Sequence, residues 1–141
     1  MMITRTFPFP RQIRFATALA GALAVFAVPA TAQAPGLEML GQLDAGMWEL
    51  RFRDGEAPRR LCVRNGQELV QLRHAGSSCR RFVVEDSREQ VTVQYTCRGN
   101  GYGRTSIRRE SNTLVQVNGQ GIEGDLPFEF QAEARRIGSC R

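Results

Sequence analysis

Four cysteines, one histidine and several adjacent arginines are the residues of this 141-residue chain that could do chemistry. Cys62, Cys79, Cys97 and Cys140 stand 17, 18 and 43 positions apart. Structural zinc takes its ligands in close pairs, because one tight turn can present two of them. No such pair exists here, and His74, the only histidine, is isolated. An even number of widely spaced cysteines in a short chain points instead to two disulfides. Four cysteines allow three pairings, and sequence does not decide among them. The reading favoured here is Cys62–Cys79 with Cys97–Cys140. The first bridge would close a short loop around the strongest helical signal of the domain body, and the second would tie a central strand to the chain's end. Neither a metal nor another cofactor is expected.

The remaining candidates are weaker. His74 has no nucleophile near it in sequence, and a lone loop histidine is expected to be solvated. Ser77-Ser78 lacks a G-x-S-x-G context, and Glu85, Asp86 and Glu89 lack the spacing of a calcium loop. The expectation is therefore a protein that is not an enzyme. Trp48, Leu50, Phe52 and Tyr95 alternate with polar residues, so they face a ligand or, more ordinarily, a core. Arg108-Arg109 and Arg135-Arg136 would form an anion-binding patch if their strands were close. Glu110, Glu129 and Glu133 could equally pair with them. Tyr102, between Gly101 and Gly103 and near Arg98 and Arg104, suits a recognition loop or simply a hairpin tip.

The elements that must position these residues begin after an N-terminal segment of a different kind. Arg5, Arg11 and Arg14 precede the uncharged apolar stretch 15–28, and Ala30-Thr31-Ala32 and Ala32-Gln33-Ala34 follow. That sequence of features predicts a signal peptide over 1–32, cleaved after Ala32 or Ala34, and a periplasmic product. Ala32 is preferred, since Pro35 would follow the other cut. The apolar stretch falls short of the ~20 residues that span a bilayer, and no membrane span is expected in the mature chain. The net charge of +5 shrinks to +2 over 33–141, where sixteen arginines face fourteen acidic residues. So small a charge on an exported chain argues against nucleic acid as a partner. The absence of lysine reads as a coding bias.

Leu37, Met39, Leu40 and Leu43 predict a short helical lead-in over 33–45. From 46 to 141 the pattern is that of an antiparallel β domain. Residues 46–53, 59–63, 80–85, 90–98, 102–109, 113–117 and 126–135 predict strands. Asp54-Gly55, Asp86–Glu89, Gly99-Asn100-Gly101 and Asn118-Gly119 predict turns. Asn65 and the apolar Leu69, Val70 and Leu72 predict a helix ending at Gly76. The expected fold is all-β with one or two short helices, a single antiparallel meander curled into a barrel or half-barrel and stapled by disulfides.

Gly46-Met47-Trp48-Glu49, the spread of Cys62, Cys79 and Cys97, and the closing Arg135-Arg136-Ile137-Gly138-Ser139-Cys140 carry a resemblance. In order, they resemble the exported bacterial family known as domain of unknown function 3617, across residues 44–141. The resemblance implies a periplasmic, cysteine-bridged β domain and no catalytic residues. The expected role is a noncatalytic envelope protein that binds an unknown partner. The alternatives are a lipocalin-like carrier of a small apolar molecule and an inhibitor of an envelope hydrolase.

Overall fold

The computed structural model describes residues 37–141. The expected signal peptide, both cleavage positions and the first residues of the lead-in lie outside the described residues. The described chain is all-β, with strands β1 (Gly46–Phe52), β2 (Arg59–Val63), β3 (Cys79–Asp86), β4 (Gln90–Cys97), β5 (Gly101–Ser111), β6 (Leu114–Glu123) and β7 (Leu126–Gly138). They form one antiparallel sheet in the order β2-β1-β7-β6-β5-β4-β3. Short turns pair β3 through β7 consecutively, while β1 returns to pair with β7. The succession of paired strands is interrupted between β2 and β3 alone, so the sheet is open, not a closed barrel.

One face of the sheet is apolar, as the period of two dictates. Val91, Ile107, Val117 and Ala132 lie in register across β4 to β7 and are all buried. The same face carries Trp48 and Leu50, each fully buried. Opposite the aromatic rings stand glycines. The Tyr95 ring lies where a Cβ on Gly103 would sit, and Phe130 does the same over Gly119. Asn118-Gly119 is therefore not the expected turn but the middle of β6. The actual turns flank it, between Ser111 and Leu114 and between Glu123 and Leu126. Glycine is required there by a neighbouring ring, not by chain reversal.

The apolar face is covered by two irregular segments. Leu37, Met39, Leu40 and Leu43 are all buried, but the lead-in makes only one 3-10 turn, Leu40–Gln42. The helix expected after Asn65 is likewise two separate 3-10 turns, Gln67–Leu69 and Leu72–His74. Gln71, at φ −124° and ψ 57°, breaks the helical course between them. The break lets Leu69, Val70, Leu72 and His74 all point inward, a set that no single α-helix face could present. Tertiary burial overrides a run too short to be helical alone.

Both disulfides form, but not in the favoured pairing. Cys62 bonds Cys140, and Cys79 bonds Cys97. The physical reason is the strand order. Cys79 and Cys97 are direct partners in the β3–β4 ladder. β1 lies between β2 and β7, so the end of β7 comes back to β2.

Candidate functional site

Two motifs from opposite ends of the chain meet across β1 and β7. Trp48 is in register with Arg136, Glu49 with Arg135, and Met47 with Gly138, with a bulge between Met47 and Trp48. The Trp48 indole donates to the Asp44 carbonyl at 3.0 Å, and the Arg136 guanidinium donates to the Ala45 carbonyl at 2.9 Å. A Cβ on Gly46 would overlap the Gly138 carbonyl. Arg60 and Arg51 each donate to the Glu49 carboxylate at 3.0 Å and hold its pKa below the ordinary carboxylate value. With Cys62–Cys140 beside them, these residues clasp β2, β1 and β7 together, and each contact is structural.

The other candidates are dispersed. Trp48, Leu50 and Tyr95 are core, and Phe52 is half-buried with the Arg59 guanidinium 5.5 Å above its ring. The four arginines do not form one patch. Arg108 pairs with Glu110 at 2.7 Å and Arg135 with Glu133 at 3.4 Å. Arg109 donates to the Arg88 carbonyl and to Asn112, and β6 separates the β5 pair from the β7 pair. Tyr102 is half-exposed within β5, at the sheet's outer face.

His74 is not solvated. It is 1% exposed, with Nε2 2.7 Å from the Asn100 carbonyl and Nδ1 3.3 Å from the Tyr95 hydroxyl. Its ring meets Tyr95 edge-on and Phe128 at a tilt. Both nitrogens are engaged inside the protein, where they position the 3-10 segment against β4. The same burial pushes the Tyr95 phenol above its ordinary pKa. Among the described residues no group of three or more metal-ligating side chains comes together.

Among the surface concavities is a groove of about 690 Å³ in the break between β2 and β3. Arg59, Arg60 and Leu61 of β2 line one side, and Gln67, Gln71 and Arg81 face them. Arg81 crosses the break, donating to Gln71 Oε1 at 3.0 Å and Gln67 Oε1 at 2.8 Å. Arg59 ties the other side by donating to the Leu72 carbonyl at 3.1 Å. Glu68 also lines the groove. Its Oε1 accepts from the Arg64 amide at 3.1 Å, but its buried Oε2 has no hydrogen-bond partner among the described residues. β2 pairs with β1 on one side only, so its other edge runs along this groove.

None of these groove residues stands in a motif or spacing that marks a site, because the signal is topological. Only the strand order shows that β2 and β3, joined in sequence, are left unpaired at opposite ends of the sheet. Comparison with protein-family models, with curated proteins and with solved structures finds no match.

Proposed function

We propose that this protein is a noncatalytic binding protein of the cell envelope, exported to the periplasm, that takes an extended peptide segment of a partner into the groove beside β2. The observation that carries this reading is the unpaired β2 edge running along an open, arginine-rimmed groove. A peptide laid there adds a strand through backbone hydrogen bonds, and its side chains enter alternate positions. Leu61 and Leu72 offer apolar contact, and the arginine rim favours acidic flanks on the ligand. Two disulfides suit an oxidising compartment. The apolar sheet face, where a small apolar ligand would be carried, is covered by Leu40, Leu69, Leu72 and their neighbours, which weighs against a lipocalin-like carrier.

Panning a library of displayed peptides against the oxidised protein tests the reading. Peptides with alternating apolar residues and acidic flanks are expected, and Ala75→Trp, which fills the groove from an exposed lining position, should weaken them at least about tenfold. Failure to retain any peptide, or equal retention by the A75W protein, would overturn it.

A further inference from the structure

The outer edge of β3 is a second unpaired edge, and its composition differs from that of β2. From Arg80 to Asp86 every residue is exposed. Phe82 is 69% accessible, and Val83 and Val84 are exposed beside it. Three adjacent exposed apolar residues on a free strand edge invite pairing with another strand. The charges around them are ordered: Arg80-Arg81 precede the apolar centre and Glu85-Asp86 follow it. None of the four takes part in an ion pair among the described residues; Arg81, Glu85 and Asp86 each hydrogen-bond only to uncharged groups, leaving their charges uncompensated.

We propose that the partner of this edge is a second copy of the chain, paired β3 to β3 in antiparallel fashion about a two-fold axis at Val83. Such an axis sets the basic end of each strand against the acidic end of the other. Parallel pairing would stack like charges instead. The ladder with β4 shows which side chains share a face. Arg81 and Asp86 stand opposite Tyr95 and Val91 on the core-facing side, whereas Arg80, Phe82 and Glu85 stand opposite Thr96, Gln94 and Thr92 on the other. The register shift between Val83 and Glu85 produces this division. Across the axis, Arg81 therefore meets Asp86 of the second copy on one face. Arg80 approaches Glu85 of the second copy on the other, with both Phe82 rings alongside. Opposite charges on neighbouring strands stabilise such a pair, and the isologous two-fold arrangement uses each contact twice. Arginines on an edge ordinarily repel a second edge. Here the acids at the far end of the same strand convert that repulsion into a register. The bulge bends the strand and keeps the paired stretch short, so charge and not length specifies the contact.

Sedimentation equilibrium of the oxidised full-length protein, with no peptide present, tests this; Arg81 also lines the peptide groove, so the wild-type salt series and the E85R/D86R protein separate the two readings. The wild-type protein should be a dimer whose affinity falls about tenfold or more between about 50 mM and about 500 mM salt. The R80E/R81E protein and the E85R/D86R protein should each be monomeric, and mixing them should restore a dimer. A wild-type protein that stays monomeric at high concentration overturns the proposal. So does a dimer indifferent to salt, or one that both charge reversals leave intact. The salt series needs no variant, so it decides even if a reversal fails to fold.

Discussion

The two disulfides sit at opposite ends of the sheet and work in different surroundings. Cys62–Cys140 joins residues 78 apart in sequence, within a region where Trp48 is fully buried and Arg136 and Glu49 are engaged from several sides. Cys79–Cys97 joins residues 18 apart that already face each other in the β3–β4 ladder. There β3 has one neighbouring strand and is exposed along nearly all its length. One bridge fixes a contact that only tertiary structure creates, and the other reinforces a hairpin that local pairing creates. Order is concentrated at the first end, and surface is presented at the second.

The largest expected effect separates the bridges themselves. On the chain-entropy account, closing a loop of that longer span stabilises by ~4.5 kcal/mol and the shorter by ~3 kcal/mol. Urea unfolding should thus rank the C62S/C140S protein below the C79S/C97S protein. The reverse order would show that the free end, not the clasped end, limits stability. A second contrast uses side chains. Trp48→Ala should cost ~3–5 kcal/mol, because it opens a cavity in the clasp. Gly103→Ala should cost ~1–3 kcal/mol by pushing on the Tyr95 ring. Phe82→Ser, on the exposed edge, should change monomer stability by less than ~0.5 kcal/mol.

The smallest effect is a pH limb. Burial raises the Tyr95 pKa in the folded protein above its unfolded value near 10. Its contribution is then complete below the unfolded pKa and is lost as pH rises past about 10 towards the folded value. Denaturation curves at a series of alkaline pH values should show this decline. The Y95F protein should lack that portion of it, and an unchanged slope would remove Tyr95 from the account.

Much of the sheet was legible because alternation is a local property. β1 and β2 fall where Trp48-Glu49-Leu50-Arg51-Phe52 and Arg59–Val63 place them, and Cys97 faces the core as its apolar companions imply. What escaped depends on which distant strands become neighbours. The bridge from Cys62 to Cys140 requires β1 to lie against β7, and nothing within either strand says so. The turn assigned to Asn118-Gly119 failed for a similar reason, since the glycine answers to Phe130 on the next strand. His74 was misplaced because its polar partners, Tyr95 and Asn100, come from a hairpin more than twenty residues away. The groove was invisible for the same reason, as its walls are defined by strands that fail to pair.

The bridge between Cys62 and Cys140 also turns everything from β2 through β7 into a covalent hoop. A protease that nicks one exposed loop of that hoop, such as the Gly124-Asp125 turn, severs the backbone without releasing a fragment. The nicked molecule would keep its full mass until a reductant opens the hoop, so a cut backbone need not become loss of the protein.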